Sequence, residues 1–406
     1  MDRTLATLGL LASGAVFACA DPGTVATDLV VRDSAGVRIW EYPQFPPPTF
    51  PRWTTSPEPT LSMGEVEGEE PYLFAGIRGA VPLPGGGVAV GDGQSAEIRF
   101  FDGGGRHVRT TGGEGGGPGE FTRLWSLFPF RGDSIVGVNF PPRVLSIFDG
   151  QGSWGRTLEC SAGASGLGGG FVEGALANGT VLVRAMEQFQ TEAPEVGYQR
   201  TSVFYLLCSP DGEEGPVLRE VPGREIEIRM EEAGLRSYPL ELGRQAASVI
   251  VGDDVLVGAT DGLELWRYGS DGSLKGVLRV GFPAVPVTQE VRDGWAGQLL
   301  SGTDDPEEAR ALRQSLRDRL WAGALPAFSQ LRGDAAGNLW VRPFVPGYEE
   351  DPGAWWVFGP DGVLLAQATL PPELRVTALG SDFVLGIMLD EWEVERVVRF
   401  RLEKEE

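Results

Sequence analysis

An all-β fold of repeated four-stranded antiparallel units is predicted by three observations. The stretch from Ile77 to Phe121 reads as four short strands, Gly79–Leu83, Val88–Val90, Ile98–Phe101 and Val108–Thr111. A second-strand signature, a turn residue followed by an aliphatic or β-branched run, then recurs at Ser134-Ile135-Val136, Thr180 to Val183, Asp254 to Val257, Asn338 to Val341 and Asp382 to Leu385. The first apolar positions of these runs, 88, 135, 181, 255, 339 and 383, are separated by 47, 46, 74, 84 and 44 residues. Four short strands cannot bury both their faces alone, so such units must stack on one another. A period of about 45 residues is that of a propeller blade. The expectation is a six-bladed β-propeller of four-stranded antiparallel blades, with two steps lengthened by insertions.

The third strands support that reading. Ile98 to Phe101 precedes Asp102-Gly103, Leu145 to Phe148 precedes Asp149-Gly150, Leu265 to Tyr268 precedes Asp271-Gly272, and Trp355 to Phe358 precedes Asp361-Gly362. Asp-Gly suits a tight hairpin because both residues tolerate positive φ. Val397 to Phe400 is the third strand of the last unit, which has no fourth of its own. Thr60 to Gly64, with Phe74 ten residues on, mimics Thr110-Thr111-Gly112 with Phe121. Strand 60–64 is therefore expected to complete the last blade and leave no open sheet edge.

At the N-terminus, Leu5 to Phe17 is an apolar run too short to span a bilayer and placed as a signal-peptide core. It ends in Val16-Phe17-Ala18-Cys19, which resembles a bacterial lipobox and implies lipidation at Cys19; Ala18-Cys19-Ala20 also fits an ordinary cleavage site. The domain expectation is a signal peptide over 1–19, then a tether, an N-terminal hairpin (Val30-Val31 turning at Ser34-Ala35-Gly36 into Val37 to Trp40) and a proline-rich connector over 20–58, then the propeller over 59–406.

Asp33-Ser34-Ala35-Gly36-Val37, Ile98-Arg99-Phe100-Phe101-Asp102, the run from Gly112 to Phe121, and Leu325-Pro326-Ala327-Phe328 leading into Gly337 to Val341 together resemble the NHL-like six-bladed propellers, in particular bacterial exported lipoproteins of that group. The resemblance covers nearly the whole mature chain and implies the fold. Such propellers include lactonases, amidating lyases and binding scaffolds, so it does not carry a function with it.

Composition fits an exported β protein: among 406 residues there are 59 glycines, 30 prolines and 11 tryptophans. The 34 basic and 57 acidic side chains give a net charge of −23 and argue against nucleic acid or an anionic membrane surface as partner, leaving the lipid anchor as the membrane link. Cys160 and Cys208 fall in different blades, and whether they pair stays open. The glycine run 112–119 is followed by neither a lysine nor a helix, so it reads as a crossing loop rather than a phosphate cradle, with Phe121 as a wedge between blades. His107 is the one histidine, which disfavours zinc clusters and makes any Ser-His-Asp arrangement depend on it. No G-x-S-x-G elbow and no Asp-x-Asp calcium loop is present. No cofactor is expected; calcium held by scattered loop carboxylates stays open.

Sorting the connections by the face on which they emerge is more informative. One face receives only short turns. The other receives Arg184 to Thr201, Arg219 to Ala247, Arg279 to Ala327 and Arg342 to Gly353, and long loops on a rigid scaffold are where binding usually resides. The largest piece predicts a helical insertion over about 288–321. Asp304 or Asp305 caps it, Pro306 starts it, and Ala309, Leu312, Leu316 and Leu320 make an apolar stripe beside Arg310, Arg313 and Arg317. Upstream, Val291, Trp295 and Leu299 predict a partner helix over Thr288 to Leu300. Arg310, Arg313 and Arg317, with Arg184 and Arg342, are the candidate binding residues. The functional expectation is an exported, lipid-anchored propeller of the cell envelope that binds a protein partner or small ligand on its long-loop face without catalysis. The alternative is a lactonase- or lyase-like hydrolytic enzyme with an axial, calcium-assisted site.

Overall fold

The computed structural model describes residues 29–47, 49–140, 144–160, 165–187 and 195–405. The expected signal segment, Cys19 and the start of the tether lie outside the described residues. Strands β1 (Val30–Ser34) and β2 (Val37–Tyr42) come first, then β3 (Arg52–Thr55) and β4 (Leu61–Met63). Four-stranded antiparallel sheets follow: β5 (Ile77–Pro82) to β8 (His107–Gly112) through β6 (Val88–Asp92) and β7 (Glu97–Phe101), then β9 (Leu124–Pro129), β10 (Ile135–Asn139), β11 (Val144–Phe148) and β12 (Trp154–Glu159). The third sheet holds β13 (Leu167–Ala175), β14 (Val181–Glu187), β15 (Gly197–Cys208) and β16 (Glu214–Glu231), with β17 (Gly234–Pro239) as a fifth strand. Next come β18 (Ala246–Val251), β19 (Asp254–Ala259), β20 (Leu263–Gly269) and β21 (Leu274–Val280), helices α1 (Gln289–Ser301) and α2 (Pro306–Asp318), and then β22 (Phe328–Gly333), β23 (Leu339–Pro343), β24 (Ala354–Phe358) and β25 (Leu364–Thr369). Strands β26 (Arg375–Leu379), β27 (Phe383–Leu389) and β28 (Glu395–Lys404) end the chain, and β4 pairs antiparallel with β28.

The first strands of these sheets, β5, β9, β13, β18, β22 and β26, touch one another in that order, and β26 returns to touch β5. Sheets arranged about an axis in this way make a β-propeller. The second strands are largely buried on both faces because each lies between neighbouring sheets: β6 and β10 are buried at every residue. Phe121 is fully buried between β10 and the first sheet, where Gly137 leaves room for its ring; a Cβ there would stand 2.5 Å from it.

Several expectations need correction. The Asp-Gly dipeptides are not two-residue hairpins. The Asp102 carboxylate accepts from the N–H groups of Gly104 and Arg106, and positive φ falls on Gly105. Asp149 and Gly152 repeat the device, and the ladder slips by one residue beside both turns, as a turn closed by a left-handed glycine requires. The stretch 219–247 is not a loop. Strand β16 is 18 residues long and β17 folds back on it, because Glu225 to Glu231 alternates charged and apolar residues. Helix α2 ends at Asp318, with Arg319 already extended, so Leu320 leaves the apolar stripe and is exposed while Ala309 and Leu316 are buried.

The N-terminal segment is more than hairpin and connector. β2 pairs parallel with β21, and β3 pairs parallel with β25 and antiparallel with the end of β28. Between them Phe45 packs edge-on against Phe282 and Trp356, and Phe50 against Trp356. Apolar rings at these two positions hold the proline-rich stretch against two sheets, burying surface that a free tether would expose. Cys160, just past β12, and Cys208, at the end of β15, are joined in a disulfide with their Cα atoms 6.1 Å apart. Both sit in one apolar cluster shared by the second and third sheets, so belonging to different sheets brings them together rather than apart.

Candidate functional site

The long pieces form one assembly. Glu241, beyond β17, accepts from Trp295 Nε1 of α1 at 3.0 Å and is ion-paired with Arg319 beyond α2. Glu227 of β16 accepts from the backbone N–H of Leu320, and Arg229 donates to the carbonyl of Asp318. Leu242, Val287, Ala322 and Leu325 make a small apolar core beneath, against which Val291, Trp295, Trp321 and Phe344 pack. The segment after β23 joins in: the Tyr348 ring lies so close to Gly294 of α1 that a Cβ there would be 2.8 Å from it. Pieces separated by more than a hundred residues thus become a single cap.

Both helices start where their chemistry directs. The Thr288 hydroxyl accepts from the N–H of Val291, and the Asp305 carboxylate accepts from that of Glu307, with Pro306 in the first turn. The extended β15–β16 ladder is fixed by a group of charges. Glu225 is buried and accepts from the backbone and the guanidinium of Arg244 and from the Tyr198 hydroxyl. Arg200 grips Asp261 with two bonds of 2.7 Å. Burial pulls the pKa of Glu225 upward, yet the bonds from Arg244 outweigh it and hold it below the usual glutamate range. Asp261 behaves likewise, with Arg200 outweighing its burial.

Between α1 and α2 lies a cavity of about 360 Å³. Gln289, Arg292, Asp293 and Ala296 line it from α1, and Arg313, Leu316 and Arg317 from α2, with Arg319 and Trp321 at its end. Asp293 accepts from the Gln289 amide at 2.8 Å, and Arg319 is held by Glu241. Among the described residues, Arg292, Arg313 and Arg317 make no side-chain hydrogen bond or ion pair. Arg292 Nε is buried without a partner, and its guanidinium lies 5.8 Å from the Trp321 ring centre.

The five arginines singled out from sequence do not converge. Arg313 and Arg317 line the cavity, whereas Arg310 is exposed on the same helix outside its wall. Arg184 on β14 pairs with Glu173 at 2.5 Å and lies 5.0 Å from the Phe171 ring centre. Arg342 on β23 is buried and bonds Asp351 at 2.6 Å and the carbonyl of Pro372 at 2.7 Å. Arg292 and Trp321 were not foreseen, because nothing local marks residues that meet only when two helices fold together.

Along the axis, Arg332 of β22 donates to the carbonyls of Val376 and Leu331, and burial, with Arg375 nearby, lowers its pKa. No group of three or more His, Cys, Asp or Glu side chains placed to hold a metal occurs among the described residues. His107 sits 2.9 Å from the Thr110 hydroxyl, with its ring edge-on to Phe101. No described helix is long and apolar enough to cross a membrane.

No family model and no curated protein matches the chain. Solved structures do resemble it. A candidate exported protein from Bacteroides fragilis has a TM-score of 0.46 and 10% identity, over 88% of this chain and 100% of that one. A calcium-binding regucalcin from Agrobacterium tumefaciens has a TM-score of 0.37 and 12% identity, over 83% and 94%. A gluconolactonase from Xanthomonas campestris has a TM-score of 0.39 and 12% identity, over 82% and 87%.

Proposed function

We propose that this chain is an exported six-bladed propeller, lipid-anchored at Cys19, that binds a ligand on its long-connection face. The observation that carries the binding reading is the cap: the insertions around β16–β17, α1–α2 and Tyr348 interlock there, with an open cleft between the two helices, and the opposite face carries only short turns. A cavity of this size falls within the range of small-molecule sites. Six first strands touching in a closed cycle support the blade count, and the pairing of β4 with β28 supports closure of the ring by residues 60–64 over a 59–406 domain. The Cys160–Cys208 disulfide supports an oxidising compartment, and Val16-Phe17-Ala18-Cys19 supports the anchor.

The binding reading is tested by replacing residues 286–324 with a Gly/Ser linker and screening both proteins against one small-molecule library by thermal shift. Ligands that stabilise the full chain should lose their effect in the shortened one, with its cooperative melt retained; ligands that stabilise both equally would place binding elsewhere. The anchor is tested by Cys19→Ala, which should abolish membrane recovery; equal recovery of variant and parent would remove it.

A further inference from the structure

We propose that the cavity between α1 and α2 binds a small organic polyanion, a molecule carrying several phosphoryl or carboxylate oxygens on a compact carbon frame. The inference rests on the cap being the binding face and names what it would take. Four guanidiniums and one carboxylate line this space, in a chain whose net charge is −23. Many arginines elsewhere in the molecule are answered by acids: Arg99 by Asp92 and Glu97, Arg200 and Arg244 by Asp261 and Glu225, Arg267 by Asp254 and Arg342 by Asp351, although Arg332 is held by carbonyls alone. Here Arg319 alone is answered, by Glu241, and Asp293 is already engaged by Gln289.

Arg292, Arg313 and Arg317 therefore bring three like charges without an ion-pair partner to one cleft, in which Asp293 is the one carboxylate. Their mutual repulsion costs stability unless an anion or water screens it, and a guanidinium fork matches carboxylate or phosphate oxygens two at a time. Trp321 and Leu316 supply an apolar side to the same cavity, so a ligand with carbon as well as charge fits better than a bare ion. About 360 Å³ admits a small metabolite and excludes a folded partner.

The test is isothermal titration of the full chain with phenyl phosphate, tricarballylate, inorganic phosphate and neutral benzyl alcohol. Phenyl phosphate or tricarballylate should bind, and which of them binds more tightly separates phosphoryl from carboxylate ligands; benzyl alcohol should not bind. The double variant Arg313→Gln/Arg317→Gln, which changes exposed helix positions, should weaken binding by roughly tenfold per arginine removed, the usual worth of a charge-assisted hydrogen bond. Arg310→Gln, outside the wall, should leave it unchanged. The idea fails if neither organic anion binds, if benzyl alcohol binds as well, or if the double variant binds like the parent. A neutral library compound whose effect depends on the cap would sink the anion assignment and leave the binding face standing. Loss of cap dependence for every ligand would sink both.

Discussion

The Tyr42 hydroxyl donates to the carbonyl of Gly362 at 3.0 Å and accepts from the N–H of Leu364 at 2.7 Å, joining residues more than three hundred positions apart. Tyr42 is almost wholly buried, and that burial raises its pKa. Tyr42→Phe keeps the ring and strands two buried backbone groups. It should cost about 1–3 kcal/mol, read as a lower denaturant midpoint with an unchanged slope. An unaltered midpoint would mean that the N-terminal strands rest on the propeller without supporting it.

The disulfide closes a separation of 48 residues. Chain-entropy arguments give such a link roughly 2–4 kcal/mol. Reduction under native conditions, or Cys208→Ala with Cys160→Ala, should lower the melting temperature by several degrees while leaving far-ultraviolet dichroism intact. Identical melts with and without reductant would show that the apolar cluster around the pair holds the second and third sheets together unaided.

Gly294 separates two effects of opposite sign. In an open helix, alanine would stabilise by about 1 kcal/mol relative to glycine. Here the added Cβ would stand 2.8 Å from the Tyr348 ring. Gly294→Ala should therefore fail to stabilise, and hydrogen exchange should quicken in α1 and around 344–350 with the sheets unaffected. A gain near the open-helix value would show that Tyr348 is not seated on α1.

Acid should loosen the β15–β16 ladder. Glu225 and Asp261 both have folded-state pKa values held below their ordinary ones. The stability they contribute is complete above the ordinary carboxylate values of about 4 and is lost as pH falls through the lower folded values. Glu225→Gln removes one titrating member, so its stability should fall less steeply than the parent's between pH 5 and about 2. Parallel curves would mean that acid unfolding is governed elsewhere.

What could be read from sequence follows from how local its cause is. Second strands begin at Val88, Ile135, Val181, Asp254, Leu339 and Phe383, within one residue of their expected starts, because strands buried on both faces must be continuously apolar. The helix cap Asp305 was legible, as one of two candidates with Asp304, for the same reason: a cap acts within three residues, whereas Thr288, expected inside its helix, caps it. The Asp102 turn was misread because Asp-Gly suits two turn types, and the neighbouring Gly104-Gly105 decides between them. The β16 extension was legible in its alternation but hidden by an assumption that a blade strand stays short. The cavity was half legible: Arg313 and Arg317 stand out on one helix, but Arg292 and Trp321 join them only through the tertiary fold.

Strand β28 is paired by β27, by β4 and, at its far end, by β3. Its partners β3 and β4 precede it by most of the propeller, so they must wait for the sheets between them to be made. Strands β2 and β3 can join β21 and β25 before then, but until residues 395–404 arrive β4 has no partner and the last sheet keeps an open margin. Contacts of such sequence separation form slowly. Closure of the ring is thus set by the ten residues of β28, which act as a clasp that cannot fasten before the intervening sheets exist.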